Sequence, residues 1–542
     1  MRAPADSRRV TFQLYDTTLR DGTQQEGMVL TVDDKLVIAR ALAGFGVGFI
    51  EGGWPGAVPR DTEFFRRART ELALGATQLA AFGATRRPDL PVGRDPQVAA
   101  LLDAQTPVVT VVAKSHVRHV EVALRTTLAE NLAMVDSTVR HLVAQGRRVF
   151  VDAEHYFDGF HLDRRYALAV VSTAAEAGAE AVVLCDTNGG SLPDEVNNIV
   201  GWTIAATGAR VGIHCHDDTG CAVANSLAAV AAGADHVQGT AHGYGERCGN
   251  ANLFTLAANL VLKRGIPVVT AEQLAGMSAV ARAISAKTAV APVPSVAYVG
   301  AGAFTHKAGL HASALRLDPD LYQHITPELV GNGMRTLVSD MGGRSSIELK
   351  ARELGYEVVA GSAPVARASA RVKELENAGY SFESADASFE LLLREELAGG
   401  RVEPPFTVGS WAVSVTGGPG GPARNRAEVE LFAGGERLFA TGEGNGPVNA
   451  LDTALHEALE PRFPELKELR VVDYEVRILT GAAGSGATTR VRISFSTGDR
   501  RWSTMAVDGN LVAASWAALV EAAVYVLSCD APRQAVLVTA ER

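Results

Sequence analysis

The chain has 542 residues, a formal net charge of −10 and a hydrophobic content of 47 %. This length is too great for one compact core and predicts roughly two to four domains. The composition excludes a disordered protein. The acidic balance argues against a general nucleic-acid binder, although local basic clusters could still meet small anionic substrates.

The cysteines and the apolar runs bear on where the protein works. The cysteines form no CxxC pair and are too few for a disulfide framework in a chain of this size: Cys185, Cys215, Cys221, Cys248 and Cys529. The N-terminus, "MRAPADSRRV", has no apolar segment that would direct secretion. The longest apolar run begins at Leu511 and carries Glu521 near its centre, which indicates a packed helix. We therefore expect a protein of the reducing cytoplasm.

From residue 11 to about 265 the sequence alternates short β-branched runs with longer helical patterns. The strand-like runs are "TFQLYDTT", "VGFIEGG", "TQLAAFGA", "PVVTVVAK", "RVFVDAEHY", "AVVLCDTNG", "RVGIHCHDD" and "HVQGTAHG". The first helical pattern opens at Thr31 as an N-cap and closes near a glycine. Eight β-α units in about 250 residues predict an α/β fold, the (β/α)8 TIM barrel. A doubly wound sheet is the alternative, but no GxGxxG follows the first strand.

Polar residues collect where these strands end. Strand one ends in "YDTTLRDGTQ", strand five in "DAEHYFDG", strand six in "CDTNG" and strand seven in "HCHDD", and strand eight runs into "HGYGERCGN". In a (β/α)8 barrel the chemistry lies at the face that carries the carboxyl ends of the strands. We therefore expect the active site at this face.

Two histidines on strand seven, His214 and His216, point to the same face of that strand. By themselves they fit packing or hydrogen bonding as well as metal ligation. Asp21, after strand one, could supply a carboxylate, and Asn250, after strand eight, a carbonyl oxygen or an oriented water. Considered alone, Asp21 could equally be a turn residue and Asn250 a loop former. Together, four candidate ligands on one rim predict a divalent metal site with positions open for substrate.

Beyond the barrel, which we assign to residues 11–275, the sequence predicts a helical linker over residues 276–379. Residues 380–542 contain an internal repeat: "AEVELFAGGERLFATGEGNGPVNALDTAL" aligns without gaps within the slightly longer segment "TRVRISFSTGDRRWSTMAVDGNLVAASWAAL". Each copy predicts a hairpin that turns at Gly434 or Gly498, a third strand or loop, and a helix. This duplicated ββ(β)α unit, an α+β domain, indicates ligand sensing or assembly, or alternatively a purely structural appendage.

Three segments, "YDTTLRDGTQQEG", "HCHDDTGCAVANSLAAVAAGADHVQGT" and "GYGERCGNANL", resemble the signature segments of the acyl-CoA-dependent α-keto acid synthases. This family includes the isopropylmalate, homocitrate and citramalate synthases and is related to hydroxymethylglutaryl-CoA lyase. The resemblance covers essentially the whole chain, including the duplicated domain. Within the family, "FIEGGWPGAVPRDTEFF", "AAFGATRRP", "DAEHYFDGF", "LCDTNGG" and "ADASFELLLR" are most similar to the longer, citramalate-forming members.

The resemblance implies a metal-dependent condensation of acetyl-CoA with pyruvate and water to give (R)-citramalate and CoA, in a route to isoleucine that bypasses threonine. The nearest alternative is 2-isopropylmalate synthase chemistry on 2-oxoisovalerate. Two further alternatives are a hydroxymethylglutaryl-CoA lyase and a barrel without catalysis that binds an amino acid as a regulator. The extra duplicated domain disfavours the lyase, and the intact set of site residues disfavours the inactive regulator.

The resemblance also implies roles for single residues. The metal held by Asp21 and the two strand-seven histidines would chelate the keto acid, and Arg20 would stabilise the oxygen that becomes an alkoxide. Thr187 matches the family threonine that binds the substrate carboxylate. Glu154 matches the glutamate that orients acetyl-CoA or shares the acid-base work. The predicted ligand set suits Zn, Mn, Co or Mg.

The segment "FTHKAGLHASALRLDPDLY" contains His306, His311 and Tyr322. A histidine, with an ordinary pKa of about 6.5, suits the deprotonation of the thioester methyl group, although a lone loop histidine is more often structural. The resemblance implies that His311 is this base, that Tyr322 is its partner, and that both reach the active site of a neighbouring subunit. Relatives often carry an acidic or amide residue two positions after this histidine, where this chain has Ser313.

The remaining expectations concern the substrates and the effector. Asp152 stands where some relatives have an aromatic residue, so selectivity for a small keto acid follows from the resemblance alone. For the repeat domain the resemblance implies a homodimer with allosteric feedback by isoleucine. Basic residues near strands three and four could meet the phosphates of CoA or be ordinary surface charges: Arg86, Arg87, Lys114, His116 and Arg118.

Overall fold

A computed structural model of the chain describes residues 12–400, 402–419 and 421–529, so the predicted tail, residues 1–10, lies outside the described residues. The chain divides into two compact units. The first extends to Phe304 and includes Thr326–Gly333. The second consists of Thr305–Ile325 and the residues from Met334 onward.

In the described part of the first unit, the strands form a closed barrel in which each is parallel to and paired with the next, and the last pairs with the first. The predicted (β/α)8 barrel is therefore confirmed and the doubly wound sheet is excluded. The strands are β1 (Gln13–Asp16), β2 (Phe49–Glu51), β3 (Gln78–Ala84), β4 (Val108–Lys114), β5 (Arg148–Glu154), β6 (Ala181–Asp186), β7 (Val211–Cys215) and β8 (His236–Gly239).

Helices follow the strands around the outside of the barrel. The first begins as predicted, because the Thr31 hydroxyl accepts the Asp34 N–H in a capping box and the helix ends at Gly46 with φ of 95°. The helices are α1 (Val32–Phe45), α2 (Pro59–Glu71), α3 (Pro96–Asp103), α4 (Leu128–Ala144), α5 (Tyr156–Leu162), α6 (Arg164–Glu176), α7 (Pro193–Thr207), α8 (Ala222–Ala231), α9 (Leu253–Leu262), α10 (Ala271–Ala275) and α11 (Met277–Thr288).

The interior of the barrel is filled by side chains from alternate positions of its strands. The rings of Phe49 and Phe150 meet edge to face with centroids 5.2 Å apart, and the His236 ring lies 4.7 Å from that of Phe150. Tyr15 completes this layer at 5.9 Å from Phe49. Burying each aromatic ring stabilises the fold by about 2 kcal/mol. A filled interior leaves the carboxyl ends of the strands as the place for chemistry.

The second unit contains short helices followed by two three-stranded antiparallel sheets, in each of which the strands lie in chain order. Its elements are β9 (Thr305–His306), α12 (Gly309–Leu317), β10 (Arg335–Thr336), α13 (Arg344–Glu353), α14 (Ala363–Asn377), α15 (Asp386–Leu397), β11 (Thr407–Thr416), β12 (Arg424–Ala433), β13 (Glu436–Gly444), α16 (Pro447–Leu459), β14 (Arg470–Ile478), β15 (Thr489–Thr497), β16 (Arg500–Asp508) and α17 (Leu511–Cys529).

The internal repeat appears as two copies of a sheet followed by a helix. The hairpins turn at Gly434 and Gly498, which have φ of 57° and 56°, a backbone conformation that glycine adopts without strain. The duplicated α+β unit is therefore confirmed. Of the predicted third strand or loop between each hairpin and its helix, the structure has a short loop. The third strand of each sheet, β11 or β14, instead precedes the hairpin, outside the repeated segment that the alignment detects.

The long apolar helix α17 is the one described helix that is long and apolar enough to cross a membrane, with a mean hydropathy of 1.8 over Leu511–Ser528. It packs across β15 and β16, and Ala518, Leu519 and Ala522 on it are buried in the core of the repeat domain. This packing agrees with the predicted core helix.

Candidate active site

Three predicted ligands come together at the mouth of the barrel. His214 lies on β7, His216 follows that strand, and Asp21 lies in the turn after β1. The Oδ2 atom of Asp21 is 3.2 Å from Nε2 of His214 and 3.5 Å from Nε2 of His216. All three side chains are buried, and one ligand atom from each lies within 4.8 Å of the others. This spacing suits a single ion bound by two imidazoles and a carboxylate.

The loop after β8 is tied to the end of β7 by its backbone. The Ala251 N–H donates to the Cys215 carbonyl (3.0 Å), and the Asp217 N–H donates to the Gly249 carbonyl (2.9 Å). These two bonds fix the backbone of Asn250, which forms an isolated antiparallel β-bridge with His216. The fourth predicted ligand therefore lies on the same rim as the other three.

The conformation of this loop depends on a glycine. Gly249 has φ of 90°, and a Cβ atom there would lie 2.0 Å from the Gly243 carbonyl oxygen, so a side chain at this position is excluded. The Asn250 side chain donates through Nδ2 to the Tyr244 carbonyl (3.0 Å), while its Oδ1 is buried and has no hydrogen-bond partner among the described residues. A buried amide oxygen left without a donor is available to a cation.

The surroundings of Asp21 keep its side chain in the ionised, carboxylate form. Burial alone would raise its pKa, but the Arg20 guanidinium, which lies 3.5 Å away, holds the pKa well below its usual range. The buried Oδ2 of Asp21 makes no hydrogen bond of good geometry within the described part of the chain. Two buried oxygen acceptors without donors, next to two imidazoles, fit a divalent metal ion better than they fit a metal-free core.

The two imidazoles have different partners on their far sides. The Nδ1 atom of His214 is 2.9 Å from the Oε1 acceptor of Gln238, so its proton lies on Nδ1 and Nε2 has a free lone pair. The Arg247 guanidinium donates to Nδ1 of His216 (2.8 Å), which places the proton of this ring on Nε2. Ligation by His216 through Nε2 therefore requires the other tautomer, with the proton on Nδ1 and the Arg247 guanidinium turned away from that atom.

Arg20 is held by a residue that the sequence analysis missed. Glu51, the last residue of β2, is fully buried and accepts hydrogen bonds from Nε of Arg20 (2.6 Å), the Thr17 hydroxyl (2.6 Å) and the Tyr15 hydroxyl (2.7 Å). The Arg20 guanidinium also lies 3.9 Å from the centre of the Phe82 ring. Glu51 could have been found from the sequence, because it is a polar residue at the end of a strand, the same criterion that identified the other candidates.

Glu154 and Thr187 lie at the same end of the barrel, at the end of β5 and directly after β6. The Glu154 carboxylate forms an ion pair with Lys114, the last residue of β4. The Thr187 hydroxyl accepts the His155 N–H (2.9 Å), so its own hydrogen stays free to donate. A hydroxyl in this state can bind a carboxylate.

Asp152 and Arg86 have partners inside the barrel unit. Asp152 is 4 % exposed and accepts from Gln238 (3.1 Å). Burial, together with the charge of Glu51, raises the pKa of Asp152 to about 8. The Arg86 guanidinium pairs with Glu130 (2.7 Å), so much of its charge is already neutralised. The polar interior around Asp152 could not be found from the sequence, because it depends on which strands face each other across the barrel.

The proposed base belongs to the second unit. The ring centroids of His311 and Tyr322 are 4.1 Å apart, so these two residues, which the resemblance pairs, do lie against each other. His306 lies 6.1 Å from His311, ring centre to ring centre, and burial lowers the pKa of His306. Ser313 lies on α12, the same helix as His311.

The closed barrel and the carboxylate and imidazole cluster at its mouth define the class of protein: a TIM-barrel enzyme with a candidate metal centre. Residues 11–284 match the family model described as HMGL-like. Residues 298–379 match the homocitrate synthase post-HMGL domain-like model. Residues 383–527 match the LeuA allosteric (dimerisation) domain.

Comparison with similar proteins indicates which branch of this family the chain belongs to. The chain is 60 % identical over 515 residues to a protein of Streptomyces coelicolor named (R)-citramalate synthase, covering 95 % of this chain and 96 % of that protein. It is 45 % identical over 543 residues to one of the same name from Synechocystis sp., covering 97 % and 99 %. A probable 2-isopropylmalate synthase of Methanopyrus kandleri is 33 % identical over 491 residues, covering 90 % and 93 %. The chain therefore belongs to the (R)-citramalate synthase family of HMGL-like enzymes.

These matches confirm the predicted family and the predicted class of enzyme, an acyltransferase. The relatives with the highest of these identities have the citramalate name, which favours that interpretation over the isopropylmalate one.

Proposed function

We propose that the chain condenses acetyl-CoA with pyruvate and water to give (R)-citramalate and CoA, in isoleucine biosynthesis. A carbon–carbon bond forms between the acetyl methyl carbon and the keto carbon of pyruvate, and water cleaves the thioester to release CoA. The observation that carries the proposal is the cluster of Asp21, His214 and His216, with Asn250 beside it, at the mouth of a barrel. Similarity to proteins named (R)-citramalate synthase supports the choice of reaction.

The four clustered residues would hold a divalent metal ion, with positions left open for the keto acid. When bound, the metal would act as a Lewis acid that makes the keto carbon of pyruvate electrophilic. The lowered pKa of Asp21 supports this role, because the carboxylate is ionised at neutral pH. The structure favours no one metal among Zn, Mn, Co and Mg.

Arg20 stabilises the pyruvate oxygen as it gains negative charge. Its hydrogen bond to the buried Glu51 fixes the guanidinium before the substrate arrives, so no reorganisation is needed during the reaction. Thr187, with its hydroxyl hydrogen free, binds the substrate carboxylate. Glu154, which is paired with Lys114, orients acetyl-CoA or shares the transfer of protons.

His311 removes a proton from the acetyl methyl group, and Tyr322 orients its ring. The contact between the two rings supports this pairing. In the proposal both residues act in the active site of a neighbouring subunit. His311→Gln would test the role: the variant should keep its metal affinity and its affinity for pyruvate while losing turnover.

The second unit would form a homodimer and bind isoleucine as a feedback effector. The match of residues 383–527 to an allosteric dimerisation domain supports the dimer. The strand β14 also exposes a row of apolar side chains that a second copy could cover: Val471, Val472, Tyr474, Val476 and Ile478.

The proposed compartment is the reducing cytoplasm. The cysteines that the structure describes as free thiols are consistent with it: Cys185, Cys215, Cys221 and Cys248.

The test is release of free thiol from acetyl-CoA with four keto acids in parallel: pyruvate, 2-oxobutyrate, 2-oxoisovalerate and 2-oxoglutarate. We expect pyruvate to give the highest kcat/KM, a chelator to abolish the reaction, and isoleucine rather than leucine to inhibit it. A preference for 2-oxoisovalerate would replace the citramalate assignment by the isopropylmalate one. No thiol release with any of the four, in protein that binds metal, would favour a regulator without catalysis.

A further inference from the structure

A series of buried polar side chains runs through the barrel beneath the candidate metal site. Gln238, on β8, is fully buried and directs its Oε1 acceptor to Nδ1 of His214 at 2.9 Å. Its Nε2 donor faces two other groups, Oδ1 of Asp152 at 3.1 Å and Nε2 of His236 at 3.5 Å. The amide therefore has its acceptor toward the metal ligand and its donors toward the interior of the barrel.

The interior of the barrel determines this orientation. Glu180, whose carboxylate is fixed by Arg148, accepts a hydrogen bond from Nε2 of Gln13 at 2.8 Å. The Oε1 of Gln13 therefore faces Nδ1 of His236 at 2.9 Å, which places the proton of that ring on Nδ1 and its lone pair on Nε2, opposite Gln238. Burial lowers the pKa of His236 to about 3, so the ring is neutral.

We propose that Gln238 is a positioning residue: it holds His214 with its proton on Nδ1 and its Nε2 lone pair directed at the metal, and the series from Glu180 through His236 fixes the direction of its amide. If the amide were reversed, its nitrogen would donate to Nδ1 of His214. The proton would then move to Nε2 and block ligation. His216 has a guanidinium donor at the equivalent position, so His214 is the imidazole already prepared for the metal.

This inference rests on the proposed metal site, and the experiment separates the two. Full-length protein is freed of metal with a chelator, and the affinity for Co²⁺ and the visible absorption of bound Co²⁺ are measured for the wild type and three variants. Gln238→Leu removes the acceptor. Gln238→Glu keeps an acceptor for His214, and the raised pKa of Asp152 lets that carboxyl donate a proton to the new glutamate. Thr203→Val is the matched control, since it removes another buried hydrogen bond of the same unit, with Tyr156 (2.7 Å).

We expect Gln238→Leu to weaken Co²⁺ binding by about 10- to 100-fold and to alter the absorption band, the usual cost of losing a partner of a metal-bound histidine. Gln238→Glu should restore most of the affinity, and Thr203→Val should bind Co²⁺ like the wild type. Wild-type affinity in folded Gln238→Leu would overturn the inference, as would equal losses in the Leu and Glu variants. Failure of the wild type itself to bind Co²⁺ would instead overturn the metal site on which the inference rests.

Discussion

Two buried carboxyl groups, one in each unit, have pKa values shifted in opposite directions. At the barrel mouth, burial alone would raise the pKa of Asp21, but the charge of Arg20 holds it well below its usual range. On α17, burial raises the pKa of Glu521 to about 7, although the Ser388 hydroxyl, which itself accepts the Met505 N–H, donates to it at 2.6 Å. The fold keeps the Asp21 carboxylate charged, since a guanidinium lies beside it, and lets Glu521 take up a proton. A charge retained against desolvation marks the site of chemistry.

The strongest test of this contrast is Asp21→Asn, with Asp16→Asn as its control. Both carboxyls are buried in or after β1, but burial raises the pKa of Asp16 to about 7, so that group resembles Glu521. We expect Asp21→Asn to lower the rate of thiol release by more than about 100-fold. Mutating a residue that only hydrogen-bonds to a metal ligand already lowers metal affinity or activity by about 10- to 100-fold.

Asp16→Asn should retain turnover close to that of the wild type, because it replaces a group that is already about half protonated at pH 7. Circular dichroism of both variants checks that they fold. Equal activity in the two variants would remove the distinction between the charged and the protonated carboxyl.

Glu51→Gln, also at the mouth of the barrel, should lower turnover by less than Asp21→Asn does. The amide can still accept from Arg20 but loses the charge that holds the guanidinium. We expect kcat to fall about tenfold, equivalent to about 1.4 kcal/mol, with little change in KM, because Arg20 acts on the charge that develops in the transition state.

Glu63→Gln is the matched control for this variant, because Glu63 also pairs with an arginine, Arg66, but is exposed on α2. It should leave kcat unchanged. If Glu51→Gln raised KM at constant kcat, the residue would serve substrate binding rather than the transition state.

Glu521→Gln should leave turnover unchanged and alter only the pH dependence of stability. The pKa of Glu521 rises from its ordinary value of 4.5 to about 7 in the folded state. Below pH 4.5 both states are protonated and the group has no effect. Between pH 4.5 and 7 the unfolded state ionises first, so the wild type loses stability as pH rises.

The glutamine variant cannot ionise, so it should exceed the wild type in free energy of unfolding by about 1–3 kcal/mol at pH 8 and by nothing attributable to ionisation at pH 4. Denaturant unfolding at the two pH values measures this. Glu475→Gln, an exposed residue of β14, is the control and should show no such difference. Parallel pH profiles for wild type and Glu521→Gln would show that the buried carboxyl is not protonated on folding.

The sequence was enough to predict the barrel and the rim on which the ligands lie, because strand periodicity and the carboxyl ends of strands are local features. The HxH spacing placed His214 and His216 on one face, and the polar end of β1 supplied Asp21. The partners of these residues were not predictable in the same way. Gln238 and Asp152 meet across the interior of the barrel, and that contact depends on strand tilt and register, which no local pattern encodes.

The two backbone hydrogen bonds between the end of β7 and the loop around Asn250 have a consequence for redesign of the enzyme. Because these bonds join main-chain atoms, they form whatever side chains Cys215, Asp217 and Ala251 carry. Substitutions in the loops after other strands should therefore leave the segment from Gly243 to Ala251, and the position of Asn250 within it, unchanged. Variant libraries that keep this segment fixed should therefore preserve the candidate metal site, whereas libraries that randomise it should lose the site in most members.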